Sequence, residues 1–247
     1  MVGKYVDLTD SYKSLNEALY HGAVSNDARL ELDFVDSEEL NAGNVAERLA
    51  GIDAVLVPGG FGLRGAEGKI SAVRHARTQE IPFLGICLGL QMAIIEFSRS
   101  ALGLEGAHSS EFEPACEHPV IDLMKEQEGV TDMGGTMRLG AWECDLREGS
   151  VAARCYGKLQ ISERHRHRYE VNPDYVERLE QAGLVVSGVN PKRDLVEMIE
   201  LPDHPFFVAT QAHPEFKSRP LTPHPLFVAF IRAAAQQRAK AEAATQP

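Results

Sequence analysis

The chain has 247 residues, of which 25 are lysine or arginine and 36 are aspartate or glutamate, so its formal charge at pH 7 is −11. Its content of 44% apolar and 25% charged residues is typical of globular proteins, and the acidic balance argues against a protein whose main task is to bind nucleic acid or an anionic membrane. No apolar run approaches the roughly 20 residues of a membrane span and no secretory signal is visible, so a cytoplasmic protein with reduced thiols is expected.

In the first half of the chain, short apolar runs alternate with helical patterns. This alternation predicts an α/β fold with a mostly parallel central sheet flanked by helices. Strands are predicted at residues 2–8, 30–35, 54–57 and 83–86. Helices are predicted at 45–49, within 69–78 and at 88–97, after a first helix that is capped at Asp10 or Ser11 and ends at Gly22.

The second half of the chain has a different pattern. Residues 101–129 have few apolar positions and are predicted to form loops over the sheet. Residues 136–169 favour meandering, additional antiparallel strands, 173–182 a helix, and 184–189, 196–200 and 206–211 further strands. A helix at 226–235 closes the fold, residues 235–247 are expected to fray, and residues 1–247 are predicted to form a single domain because no linker or repeat divides them.

The most distinctive local motif is Gly85-Ile86-Cys87-Leu88-Gly89, a G-x-nucleophile-x-G pattern between an apolar strand and an apolar helix. Small residues two positions to either side of the nucleophile let a strained strand-to-helix turn close. The turn also places the thiol at a helix N-terminus, where the dipole and free N–H groups favour thiolate. A buried structural cysteine is the alternative, but the strand–helix context favours a catalytic one.

A nucleophilic cysteine needs a base, and His213 is the best candidate among nine histidines. It follows the predicted strand 206–211, so it is expected on the same edge of the sheet as Cys87. Glu215 can accept the other imidazole N–H and complete a triad. A plain His-Pro-Glu turn is the alternative interpretation of this segment.

Two further segments carry candidate binding groups. The glycines of residues 58–62 (PGGFG) follow a third predicted strand, where bare backbone N–H groups can stabilise an oxyanion, with the N–H of Leu88 as the second donor. A simple loop or a phosphate-binding turn is the alternative, but no G-x-x-x-x-G-K-[ST] motif supports a phosphate-loop ATPase. Residues 164–168 (RHRHR) suit a solvated strand or loop, or an arginine that clamps a substrate carboxylate, better than nucleic-acid binding.

Taken together, Gly59-Gly60, the cysteine elbow with Gln91 and the late His213-Pro-Glu215 resemble the class I, or triad, glutamine amidotransferases over nearly the whole chain. Four longer segments make the sequence look like the glutaminase domain of the CTP synthase family. These are residues 58–69 (PGGFGLRGAEGK), 133–140 (MGGTMRLG), 164–170 (RHRHRYE) and 213–220 (HPEFKSRP).

The resemblance implies that the chain hydrolyses L-glutamine to glutamate and ammonia through a thioester on Cys87, with His213 as the base and Glu215 as its orienting partner. It implies Gly60 and Leu88 as oxyanion positions, and no metal or cofactor in this chain. It also implies a set of residues that bind glutamine, namely Gly60, Leu88, Gly89, Leu90, Gln91, Glu111 and Arg168.

The resemblance further implies that the ammonia converts UTP to CTP in a synthetase domain, with ATP and Mg²⁺, and that GTP is an allosteric activator of the complete enzyme. That domain is absent from the sequence, so an excised domain or a free-standing subunit is expected. Another triad glutamine amidotransferase, a gamma-glutamyl hydrolase-like enzyme and a catalytically silent regulatory domain are the alternatives. Nucleic acid and membranes are not expected as partners.

Overall fold

The computed structural model describes residues 1–4, 9–123 and 137–245. The strands in these ranges are β1 (Val2–Gly3), β2 (Val35–Asp36), β3 (Val55–Val57), β4 (Phe83–Ile86), β5 (Ala107–Ser109), β6 (His118–Leu123), β7 (Arg138–Leu146), β8 (Gln160–His167), β9 (Tyr169–Val171), β10 (Val185–Asn190), β11 (Leu195–Glu200) and β12 (Phe207–Thr210). The α-helices are α1 (Lys13–Ser25), α2 (Val45–Arg48), α3 (Ala66–Thr78), α4 (Leu88–Ala101), α5 (Val151–Tyr156), α6 (Val176–Gln181) and α7 (Pro225–Thr245).

Seven strands form the central sheet in the order β3-β4-β12-β11-β10-β7-β8. The neighbours β3, β4 and β12 are parallel, whereas each neighbouring pair from β12 to β8 is antiparallel. The predicted α/β class with additional antiparallel strands is confirmed. The sheet is mixed, with a larger antiparallel part than the expectation of a mostly parallel sheet implied.

Alternate side chains of the central strands pack into two hydrophobic cores, one on each face of the sheet. On β4, Phe83 packs into one core, whereas Leu84 and Ile86 pack into the other, as the strand pleat requires. Helices α2, α3, α4 and α6 contribute to the first core, and α1, α5 and α7 to the second. Every helix in the described ranges falls short of the length or apolar character that a bilayer span demands.

Several elements differ from the sequence-based expectation. The loop prediction for residues 101–129 is wrong in part, because β5 and β6 lie there and join β9 in a three-stranded sheet. Helix α5 interrupts the stretch predicted as strands, since the Ser150 hydroxyl accepts from the Ala153 N–H at 2.9 Å and Gly157 ends the helix with a φ of 66°. Strand β1 ends at Gly3, and of the predicted strand at 30–35 only Val35 lies in β2. Residues 5–8 and 124–136, including the first four residues of MGGTMRLG, lie outside the described residues.

The observed bounds of helices α1 and α7 also differ from those predicted from the sequence. A 3₁₀ turn, Thr9–Tyr12, leads into α1, and neither Asp10 nor Ser11 is its N-cap, a position that Tyr12 occupies. Gly22 does not end α1. A Cβ there would lie 2.7 Å from the carbonyl oxygen of Phe227, so the glycine lets α1 and α7 pack closely. The tail expected to fray continues α7 to Thr245, because its alanine, glutamine, lysine and glutamate residues favour helix.

Candidate active site

Cys87 lies in a sharp turn between β4 and α4. Its φ of 52° and ψ of −100° are values that cost a non-glycine residue about 1–3 kcal/mol. A Cβ at Gly89 would lie 2.2 Å from the carbonyl oxygen of Val57, and one at Gly85 would lie 2.9 Å from the main chain of Gly89. The Cys87 N–H donates to the carbonyl oxygen of Thr210 at 2.7 Å, which ties the turn to the end of β12.

His213 follows β12 and lies beside Cys87 and Glu215. Its Nδ1 is 2.8 Å from Oε1 of Glu215, which leaves Nε2 available to the thiol. A Cβ at Gly59 would lie 2.7 Å from Cε1 of the imidazole and 3.4 Å from Cβ of Cys87. The absence of a side chain at Gly59 therefore lets the nucleophile and the imidazole share this space.

The electrostatics of this group favour a protonated imidazole on His213. The side chain of His213 is 13% exposed and that of Glu215 is 10% exposed. Burial by itself lowers the pKa of His213, but the Cys87 thiolate and the Glu215 carboxylate outweigh burial and raise that pKa to about 10. The imidazole next to a thiolate at position 87 is therefore protonated at neutral pH.

Burial acts on the thiols of the other three cysteines, Cys116, Cys144 and Cys155. Burial raises the pKa of the Cys155 thiol to about 11, with a further contribution from the Glu200 carboxylate. Burial likewise raises the pKa of Cys144 above its usual range and, more modestly, that of Cys116. These three thiols therefore stay protonated at neutral pH.

A cavity of about 530 Å³ opens beside Cys87, and most of the predicted site residues line it. Of the predicted residues, its wall contains Gly60, Cys87, Gln91, Glu111, Arg168, His213 and Glu215. The remaining three, Leu88, Gly89 and Leu90, form the buried first turn of α4 directly behind the nucleophile. The N–H groups of a first helical turn lack carbonyl partners four residues earlier, so the Leu88 N–H is suited to donate a hydrogen bond to an oxyanion.

Glu111 and Arg168 provide opposite charges in the cavity wall. Oε1 of Glu111 accepts from the Gly62 N–H at 3.3 Å. Burial raises the pKa of the Glu111 carboxyl, whereas this hydrogen bond and the positive charge of Arg168 oppose the rise. A carboxylate and a guanidinium are complementary to the ammonium and carboxylate groups of an amino acid.

Strand alternation divides the basic run of residues 164–168. Arg164 and Arg166 on β8 are exposed, as expected of a solvated strand, whereas His165 and His167 are buried. Arg168 follows the strand and lies half-buried at the cavity. The buried histidines belong to a cluster of charged and polar side chains, namely Arg138, His165, His167, Glu170 and Glu197.

Sequence reasoning missed Gln211, a buried residue that approaches the Cys87 sulfur. His167, which belongs to the basic run discussed above, also lines the cavity. A polar residue at the end of an apolar strand, such as Gln211 after β12, was the one signal available. Within the described ranges, no group of three or more His, Cys, Asp or Glu side chains is arranged to hold a metal ion.

A family model described as glutamine amidotransferase class-I matches residues 7–233. The chain belongs to this family. It is 58% identical over 234 residues to a CTP synthase of Geotalea uraniireducens, covering 95% of this chain and 44% of the relative. It is 55% identical over 247 residues to a CTP synthase of Acidobacterium capsulatum, covering 100% of this chain and 45% of the relative. This amidotransferase chain therefore spans less than half the length of the curated relatives it matches.

One solved structure supports the family assignment, and a second shows the same fold. The glutaminase domain of a Trypanosoma brucei CTP synthase with bound acivicin matches with a TM-score of 0.89 and 41% identity, covering 95% of this chain and 92% of that one. A glutamine amidotransferase from Thermotoga maritima matches with a TM-score of 0.50 and 14% identity over 96% of each chain, and shares the fold alone. The predicted resemblance to the glutaminase domain of CTP synthases is confirmed.

Proposed function

We propose that this chain hydrolyses L-glutamine to glutamate and ammonia through a thioester on Cys87, and that the ammonia serves the amination of UTP to CTP. The observation that carries the proposal is the position of His213, between Cys87 and Glu215, at a cavity that also contains Glu111 and Arg168. The CTP synthase relatives support the use of the ammonia.

In the first half of the proposed reaction, the Cys87 thiolate attacks the carboxamide carbon of glutamine and forms a C–S bond. The displaced electron pair moves to the carbonyl oxygen, where the N–H groups of Gly60 and Leu88 stabilise it. The His213 imidazolium gives its proton to the amide nitrogen. The C–N bond then breaks, ammonia leaves and the thioester remains.

In the second half, the neutral imidazole of His213 takes a proton from water. The resulting hydroxide attacks the thioester carbon, and the C–S bond breaks to release glutamate and restore the thiolate on Cys87. Glu215 keeps Nδ1 of the ring engaged throughout, so that Nε2 faces the reacting atoms.

Recognition of glutamine is assigned to the opposite charges in the cavity wall. Glu111 accepts hydrogen bonds from the substrate ammonium, and Arg168 donates to its carboxylate. Gly89, Leu90 and Gln91 lie in the first turn of α4, and we assign this turn to contact with the reacting end of the substrate. The involvement of ATP, Mg²⁺ and GTP in the complete enzyme stays a prediction.

The direct test is glutamate release from glutamine by the purified chain. Wild type is compared with Cys87→Ala, and with Cys116→Ala as a matched thiol control outside the cavity. We expect release by wild type and Cys116→Ala and none by Cys87→Ala. A folded wild-type chain that releases no glutamate, alone or with a CTP synthase synthetase domain added, would contradict the proposal and favour a silent regulatory domain.

A second assay on the same preparation concerns the use of the ammonia. The chain alone should form no CTP from UTP and ATP with either glutamine or ammonia, because we assign CTP formation to the synthetase domain. Addition of that domain should couple glutamine hydrolysis to CTP formation. Further addition of GTP should then increase the rate of CTP formation from glutamine. Detectable CTP from this chain alone would refute the assignment of that step to another domain.

A further inference from the structure

A chain of hydrogen bonds runs from the Tyr169 carbonyl through the side chains of Gln91 and Gln211 to the sulfur of Cys87. Gln211 follows β12 directly, and its side chain is fully buried. Its Nε2 lies 3.7 Å from Sγ of Cys87, within hydrogen-bond distance for sulfur. Its Oε1 lies 3.4 Å from Nε2 of Gln91, which in turn lies 3.2 Å from the carbonyl oxygen of Tyr169.

The backbone carbonyl of Tyr169 determines the direction of each hydrogen bond in this series. A carbonyl oxygen only accepts, so Gln91 must present its NH₂ group to Tyr169. The same NH₂ group donates its second hydrogen toward Gln211, which must therefore present Oε1 to Gln91. The NH₂ group of Gln211 is then left facing the sulfur of Cys87, so the amide acts toward this atom as a donor.

We propose that Gln211 is a further catalytic residue, whose carboxamide N–H donates to the Cys87 thiolate and stabilises it for attack on the substrate. The inference rests on the proposed function insofar as Cys87 is the nucleophile. A hydrogen bond to an ionised acceptor is stronger than one to a neutral acceptor, so the donor favours thiolate over thiol.

The surroundings of Gln211 make this donor effective. Its backbone N–H donates to the carbonyl oxygen of Glu197 at 2.8 Å, which fixes the residue against β11. Both glutamines are almost completely buried, so water does not compete for the amide groups. His213 interacts with the same sulfur, and the thiolate therefore has two protein donors, one charged and one neutral.

The test measures the rate of Cys87 alkylation by iodoacetamide as a function of pH, with modification at Cys87 located by mass mapping. It compares wild type with two variants of Gln211. Gln211→Met keeps the side-chain length but has no hydrogen-bond donor. Gln211→Glu keeps an acceptor for Gln91 and places a carboxylate near the sulfur. Gln160→Met is the matched control, because Gln160 is an exposed glutamine on β8. Thermal unfolding verifies that each variant is folded.

We expect the alkylation midpoint to rise by about one pH unit in Gln211→Met, the change expected when an anionic sulfur loses one donor. It should rise at least as far in Gln211→Glu and stay unchanged in Gln160→Met. A wild-type midpoint in either folded Gln211 variant would overturn the proposal, and Gln211→Glu decides the matter if Gln211→Met does not fold. Alkylation needs no glutamine turnover. A wild-type chain that releases no glutamate, either alone or with a synthetase domain added, would therefore refute the proposed function and leave the alkylation result interpretable.

Discussion

Replacement of Gly59 by alanine tests how tightly the nucleophile and the base are positioned. The new Cβ would lie at an ordinary 3.4 Å from Cβ of Cys87 but only 2.7 Å from Cε1 of His213. Opening the second contact to an ordinary 3.4 Å requires a displacement of about 0.7 Å. The hydrogen bond between His213 and Glu215 is 2.8 Å long and weakens beyond about 3.2 Å, so it cannot absorb such a displacement in the ring.

We expect kcat/KM for glutamine to fall about 10- to 100-fold in Gly59→Ala, since a misplacement of about 1 Å in a catalytic group can cost roughly 10²-fold. The loss should appear mainly in kcat, because the atoms nearest to the new Cβ belong to His213 and Cys87, the reacting pair. If the loop retreats instead of the ring, the Gly60 N–H moves away from the oxyanion and kcat falls as well.

The assay is steady-state glutamate release at several glutamine concentrations. Gly43→Ala, in an exposed loop outside the cavity wall, is the control for the substitution itself. Thermal unfolding and Cys87 alkylation show whether Gly59→Ala is folded and keeps its thiol accessible. A folded Gly59→Ala protein with wild-type kcat would refute the inferred steric coupling between Gly59 and the catalytic pair.

Three further predictions concern single side chains. His213→Ala should lower glutaminase activity by about 10²–10⁴-fold. Glu215→Gln should lower it by less, because an amide oxygen still accepts from the imidazole. Near-normal turnover of His213→Ala would exclude His213 as the base. A glutamine-mimicking electrophile should label Cys87 and leave the other three cysteines largely unmodified, and mass mapping that finds the label chiefly elsewhere would contradict this. Burial, assisted by the Lys4 ammonium, lowers the pKa of Lys69 from 10.5 to about 8. Between these two values the unfolded chain binds more protons, so the Lys69 contribution makes the free energy of unfolding rise with pH. Urea unfolding across that pH window should show a flatter profile for Lys69→Met, and identical pH profiles would contradict the shift.

The cysteine elbow could be predicted from sequence because its pattern is local, with Gly85 and Gly89 each two residues from the nucleophile. The contacts that exclude a Cβ are partly distant, since Gly89 faces Val57 and Gly85 faces Ala209. Strand β4 has the bounds expected from its apolar run. His213 could be expected near Cys87 because the carboxyl ends of parallel strands meet at one edge of a sheet.

The features that escaped prediction depend on partners far away in the sequence. Gly22 has the pattern of a helix end, but its partner is Phe227, and no local signal reveals that contact. Gln211 meets Gln91, which lies 120 positions earlier in the chain, and no local motif links the two. Strand β5 pairs with β6, and β6 pairs with β9, whose residues lie more than 45 positions later, so this sheet becomes evident only once the chain has folded back on itself.

The register of β12 against β4 determines where the chain tolerates a change of length. Thr210 lies opposite Ile86, so Gln211 and Cys87 leave the two strands side by side, and His213 follows two residues later. A one-residue deletion in 207–213 would turn every side chain that follows it in the strand to the opposite face and carry the histidine away from the sulfur. An extra residue in 202–206 would instead lengthen a connection that precedes the strand. Natural or engineered length variation is therefore expected to accumulate before β12 and to be excluded between its first residue and His213.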